Sequence, residues 1–338
     1  KSKRHTLLFG SHDMKIVYVR NIIKRSLILL CAVGVLGFIL ACSSDPFGNK
    51  HVLVIGIDGV RPDALQAAAT PNIDGLIANG SVSYQAFAGG ELGTSTQQPT
   101  VSGPGWSSIL TGVWVDKHHV KGNKFEEPNY DNYPHFFRRI KEANPHAYLS
   151  SIVTWEPIHY HILSDEDYRY TTVGEDYGMM DADATKNAVE HLGSADPDVL
   201  FFYLGDVDET GHEFGYSTEV PEYMKAMEIA DAQVGAVLEA VKSRPNYKNE
   251  DWLVIVTTDH GGLDTGHGGQ SEDERTIFFI TSGNGANRGE LSPGPGHVAV
   301  PPTVFKHLGI PIKPEWGWEG EVFGLRKDTP LGPPSRGD

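Results

Sequence analysis

Three short, almost unbroken apolar runs, His51–Ile57, Val199–Leu204 and Trp252–Thr257, each lead directly into aspartates set among glycines. Runs of six or seven such residues are too short for a buried helix and fit strands covered on both faces. Such strands lie in sheets with helices packed on each side, so the pattern restricts the chain to an α/β sandwich. Thr276–Ile280 reads as a fourth strand and Ala147–Val153 as a fifth. Helical patterns fall between them. They are Ala67–Asn79 (with Thr70 or Asn72 as a cap), Pro134–Ala143, Ala182–Leu192, Pro221–Val241 and Pro302–Leu308, the last stopped by Gly309. Phe136, Phe137 and Ile140 share one face of the second; Met224, Met227, Val234 and Leu238 form a stripe along the fourth.

Ligands of an open α/β sheet bind at the carboxyl ends of its strands, and ionisable residues concentrate there. Asp58 ends the first run, where it could ligate a cation, cap the turn or pair with Arg61. Asp208 and His212 are four apart, so a helical turn would present both to one ion. Asp259 and His260 follow the third run; adjacent side chains diverge unless a tight turn brings them together. His267 lies in a Gly-His-Gly loop that can fold close to a ligand. Each cluster alone is ambiguous. Together they supply three Asp and three His, a normal donor set for zinc, with manganese or iron possible.

Between the first and second clusters, Ser102 is followed by Gly-Pro-Gly, a turn that opens a helix from about Trp106 to Leu110. A serine there serves as a cap or turn residue unless a base or metal activates it as a nucleophile. Thr100 and Ser107 are the neighbouring hydroxyls that could take its place.

The order of these features resembles the alkaline phosphatase superfamily, most closely its nucleotide pyrophosphatase/phosphodiesterase branch, the type I phosphodiesterases. The apolar strand into Asp58, the frame Pro99–Gly112, Asp208 with His212, and Asp259-His260-Gly261 carry the likeness, which extends from about His51 to Leu308. The resemblance implies a three-layer α/β/α sandwich with a mostly parallel central sheet, and two divalent metal ions. One ion would be held by Asp58, Asp259, His260 and Ser102, the other by Asp208, His212 and His267, with His297 as the alternative to His267. It implies Ser102 as the nucleophile, Asn123 as a ligand of a phosphoryl oxygen, and a small phosphorylated substrate with a phosphodiester or pyrophosphate bond. The chain departs from the branch in having Ser102 for threonine and Gly103, Gly105 and Trp106 for Phe, Asn and His. Serine at the nucleophile position resembles the phosphomonoesterases of the superfamily, which are the alternative reading. The sulfatase frame fits less well, because Trp106 stands at its arginine. A lipoprotein that binds phosphorylated envelope components without turnover is the non-enzymatic alternative.

Net charge excludes another class. The chain has 44 acidic and 28 basic residues, and seven of the basic ones precede residue 26. The remainder holds 21 basic and 43 acidic residues, a poor partner for a nucleic-acid duplex. Residues 1–13 read as leader sequence. From Met14, a basic region and the apolar run Leu27–Leu40 read as a signal peptide, since 14 residues fall short of the roughly 20 a membrane span needs. Leu40-Ala41-Cys42 resembles a bacterial lipobox, which implies lipidation at Cys42 and a place in the cell envelope, on the periplasmic side and by resemblance at the outer membrane. Cys31 would leave with the signal, so the folded body would hold no thiol. Residues 42–50 read as a tether and 51–338 as one catalytic domain. Within it, 113–133 and 155–180 are cap-like excursions, long enough to suggest that they cover a site. No sequence feature specifies the oligomeric state.

Overall fold

The computed structural model describes residues 47–327. The signal, Cys42 and most of the tether lie outside the described residues. No helix among the described residues is long and apolar enough to cross a membrane.

In chain order the elements are β1 (Lys50–Ile57), α1 (Pro62–Ala67), α2 (Pro71–Ala78), β2 (Gly80–Phe87), α3 (Ser102–Thr111), α4 (Val115–His118), α5 (Phe136–Ala143), β3 (Leu149–Val153) and β4 (Tyr168–Thr171). They continue with α6 (Tyr177–Ser194), β5 (Val199–Leu204), α7 (Asp206–Phe214), α8 (Pro221–Lys242), β6 (Asp251–Thr257), α9 (Glu272–Arg275), β7 (Thr276–Gly283), β8 (Gly289–Glu290) and α10 (Val300–Leu308). The strands form one sheet in the order β4-β3-β5-β1-β6-β7-β2-β8. Strands β4 to β6 in this order are parallel, and β7 runs against both of its neighbours.

Alternation along β1 explains the layers. Val52 and Val54 pack into one core with residues of α3, α5 and α10. Leu53, Ile55 and Ile57 pack into the other with residues of α1, α2, α6 and α8. With both faces buried, the strands need no polar alternation, and the result is the three-layer α/β/α sandwich with a mixed, largely parallel sheet.

Register then brings three strand ends together. Ile57 pairs with Leu204 and Gly56 with Thr257, so β1, β5 and β6 finish level. Chain order reverses at β1, with β5 on one side and β6 on the other, which is where such sheets form a crevice.

Several elements differ from the sequence reading, strand β2 among them. Helix α3 starts at Ser102, four residues early, because Pro104 stands in the first turn, where its missing N–H would have no partner anyway. Of the pattern over 67–79, Ala67 ends α1, and α2 starts late, at Pro71, with Thr70 at its N-cap position as the sequence allows. The stretch 155–180 contributes the edge strand β4, paired with β3, as well as a π-helical turn at Ile158–Ile162. Four residues with polar side chains at a sheet edge leave no period in the sequence.

Four buried histidines outside the acidic strand ends are held neutral. Burial pushes His118, His159 and His297 down to about 3 and His135 to about 4. An unfolded histidine takes up its proton near 6.5, so between roughly pH 6.5 and 3 the unfolded chain binds more protons at these four sites and their contribution to stability is lost as pH falls. The urea midpoint should therefore drop steadily from pH 7 to pH 4. A flat midpoint over that range would show that these imidazoles are protonated in place.

Candidate active site

Asp58 is the first residue past β1, and Asp259 and His260 follow β6 after Thr258. All three are buried, and their ligand atoms lie within 4.8 Å of one another. His260 Nε2 is 3.2 Å from Asp259 Oδ2 and 3.5 Å from Asp58 Oδ1. The adjacent Asp259 and His260 converge because Thr258 ties the turn: its hydroxyl accepts from Val60 N–H at 3.1 Å and donates to His260 O at 3.1 Å.

Asp208 and His212 sit one turn apart on α7, with His212 Nε2 3.4 Å from Asp208 Oδ2. His267 comes from the loop after β6, its Nε2 3.0 Å from His212 Nε2 and 3.8 Å from Asp208 Oδ1. The two trios adjoin, since the rings of His260 and His267 stack with centroids 3.8 Å apart. The close approach of β1 to α7 needs Gly59, where φ is +68° and a Cβ would lie 2.3 Å from Asp208 Oδ1.

These residues fit divalent cations by three tests. The Nδ1 atoms of His212, His260 and His267 each face a backbone carbonyl, of Thr265 (3.1 Å), Gly261 (2.8 Å) and Thr100 (2.8 Å). A carbonyl only accepts, so every Nδ1 carries the proton and every Nε2 is left for a metal or a second proton. Second, Asp58 Oδ1 and Asp259 Oδ2 are buried without a hydrogen-bond partner, a costly state that a cation relieves. The other oxygen of Asp58 is saturated, accepting from Tyr203 OH at 2.6 Å and Trp106 Nε1 at 2.9 Å. Asp208 Oδ1 likewise accepts from Tyr216 OH at 2.6 Å.

Third, the electrostatics are strained without a cation. Burial, reinforced by neighbouring carboxylates, pushes Asp58 and Asp259 up. Against its own burial, the His212 hydrogen bond and the nearby His260 and His267 hold Asp208 at about 2. The bond to Asp208 raises His212 to about 9, while burial and the neighbouring His260 lower His267 to about 4. His212 Nε2 and His267 Nε2 thus face each other across the place a divalent ion would take. The trios can coordinate divalent metal.

Ser102 opens α3 beside the first trio, with its Oγ 3.5 Å from His260 Nε2. The neighbouring hydroxyls are committed elsewhere: Thr100 to Gly269 O and Gly268 N–H, and Ser107 to Gly103 O. Asn123 Oδ1 accepts the N–H of Gly103 at 2.7 Å. That N–H therefore orients the Asn123 amide and is not itself open to a phosphoryl oxygen. Beside Val101 and Asn123 runs a groove of about 1070 Å³, bordered by Lys121, Lys124 and Glu126 from the 113–133 excursion.

His297 joins neither trio. It is fully buried and stacks on Trp114 with centroids 4.8 Å apart. A further set, His51, Asp196 and Glu250, has a compatible spacing. There the Arg244 guanidinium already pairs with both carboxylates. Sequence reasoning did not find Trp106, Tyr203 and Tyr216 as braces of the aspartates. The available signal was Trp106 itself, a departure from the resembled pattern, paired with Gly56, whose Cβ would meet the Trp106 ring at 2.3 Å.

The family model described as type I phosphodiesterase / nucleotide pyrophosphatase matches residues 52–273. An uncharacterized pyrophosphatase/phosphodiesterase of Schizosaccharomyces pombe is 24% identical over 306 residues, covering 78% of this chain. The chain spans 58% of that relative's length. Among solved structures, murine ectonucleotide pyrophosphatase / phosphodiesterase 5 shares 14% identity with a TM-score of 0.59, covering 78% of this chain and 96% of its own. Its inactive form has been solved in complex with AMP. A 2-O GAG sulfatase gives a TM-score of 0.62 at 15% identity, over 78% of this chain and 71% of its own. At these identities the solved structures show a shared fold.

Proposed function

The chain belongs to the type I phosphodiesterase / nucleotide pyrophosphatase family, in the alkaline phosphatase superfamily, and from that premise we propose that it hydrolyses phosphodiester or pyrophosphate bonds through a Ser102 phosphoenzyme at a two-ion centre. The observation that carries the reading is the convergence of Asp58–Asp259–His260 and Asp208–His212–His267 beside the Ser102 hydroxyl. Three imidazoles and three carboxylates suit zinc first, and manganese or iron next.

Two bound divalent ions would lower the pKa of the serine hydroxyl and offset charge on the phosphoryl group. Ser102 loses its proton to solvent, and its Oγ forms a bond to phosphorus as the bond to the leaving oxygen breaks. The Asn123 Nδ2 amino group, set by the Gly103 bond to Oδ1, holds a non-bridging oxygen. Water then attacks the phosphoserine, the Oγ–P bond breaks, and Ser102 is reprotonated as the phosphate monoester leaves. The groove along Lys121 and Asn123 receives a group attached to phosphorus.

The murine structure with AMP makes nucleotide diesters and pyrophosphates the first substrates to try. A nitrophenyl diester should give a higher kcat/KM than the corresponding monoester, and chelation should abolish both. A monoester preference would move the reading to phosphomonoester hydrolysis, which serine at position 102 favours. Loss of neither activity on chelation would remove the metal from it.

We also propose export and lipid anchoring at Cys42, on the basis of the basic region, the short apolar run and Leu40-Ala41-Cys42. Mass analysis of the mature N-terminus should show an acylated cysteine, and a free N-terminus at another residue would end that proposal.

A further inference from the structure

Helix α7, which carries Asp208 and His212, begins without a cap of its own. Its N-cap residue is Gly205, which has no side chain to accept the open N–H groups of the first turn. Its buried residues are Val207 and Gly211, and Tyr216 OH donates to Asp208 within its first turn. The acceptor comes instead from another helix. Asp181, in the second turn of α6, is 1% exposed. Its Oδ1 accepts the N–H of Gly205 and its Oδ2 the N–H of Asp206, both at 2.9 Å. The cap of α6 itself is a different residue, Asp176, which accepts from Met179 N–H. Nothing in α6 therefore requires a buried carboxylate at position 181. Burial pushes it up to about 7 against the two N–H bonds, the mark of a group kept in place at a cost.

We propose that Asp181 is a positioning residue that fixes the start of α7 and thereby sets the affinity of the Asp208–His212–His267 site for its cation. The geometry makes this demanding. A helix rises about 1.5 Å per residue, whereas metal–ligand distances tolerate only about 0.2 Å. Any slip of α7 along its axis moves Asp208 and His212 together away from His267, which is held separately by Thr100 O. The site formed by Asp58, Asp259 and His260 stands instead at the ends of β1 and β6.

The inference rests on the reading of that trio as a cation site, and zinc titration of the full chain tests the two separately. In wild-type protein two bound zinc ions are expected; failure of the second ion to bind at all would defeat the site reading itself. In Asp181→Asn, which keeps one acceptor oxygen, one of the two ions should bind about 10-fold weaker, and in Asp181→Ala up to about 100-fold weaker. The other ion should keep its affinity, and excess zinc should restore kcat. Added to His267→Ala, which already lacks the affected ion, Asp181→Asn should not change binding of the ion that remains. Equal weakening of both ions, or a lowered melting temperature with unchanged zinc affinity, would reduce Asp181 to a structural cap and overturn the proposal. Should Asp181→Ala fail to fold, Asp181→Asn alone decides.

Discussion

Replacing Ser102 with alanine is expected to lower turnover of any phosphodiester or pyrophosphate substrate by about 10⁴- to 10⁶-fold, as removal of an attacking group does elsewhere, while both cations stay bound. The expectation is specific to this hydroxyl. Ser102 Oγ lies beside His260 Nε2 and keeps no other side-chain partner among the described residues, whereas Thr100 and Ser107 are both engaged by main-chain groups. Alanine leaves α3 intact, because Val101 and not Ser102 is its N-cap residue, and no side-chain cap bond is lost. Each trio brings three Asp or His ligand atoms within 4.8 Å of one another without Ser102, so an ion can stay when its hydroxyl is removed. Wild-type turnover in the variant would take Ser102 out of the reaction, and loss of metal along with turnover would leave its part in the chemistry unseparated from a part in ion binding.

His267→Ala should remove one of two ions and lower turnover by about 10²- to 10³-fold, the range for losing one group that stabilises charge in the transition state. Its Nε2 faces both His212 and Asp208, and its Nδ1–H is tied to Thr100 O, so the ring is fixed with its free nitrogen in the cluster. His297→Ala should keep both ions and lose stability instead, by about 1–3 kcal/mol, since it empties a fully buried space against Trp114. The two histidines look alike in sequence, each in a glycine-rich loop after Asp259-His260. They separate in space because the loop after β6 doubles back over the strand ends, Leu263 and Gly266 pairing in both directions, while His297 is drawn under α3.

Much of this arrangement was legible in the residues. Buried strands announce themselves by continuous apolar runs, and β1, β5 and β6 were read within a residue of their bounds. Aspartates just beyond such runs fall at the sheet edge, Asp58 and Asp259 carried by the strands and Asp208 by the first turn of α7, which is why the three could be grouped before their distances were known. What could not be read depends on contacts between distant segments. Strand β2 and edge strand β4 owe their existence to pairing with β7 and β3. The bracing of Asp58 by Trp106 and Tyr203 joins residues 48 and 145 positions apart. The bond from Gly103 N–H to Asn123 Oδ1 is set by the path of the 113–133 loop.

Metal content per folded chain, measured on the wild type and on His267→Ala and His297→Ala, bears most directly on the two-ion centre. The arrangement of the trios predicts two divalent ions in the wild type, one in His267→Ala and two in His297→Ala. A wild-type chain that holds no more than one ion, or a His297→Ala chain that loses an ion while His267→Ala keeps both, would contradict it.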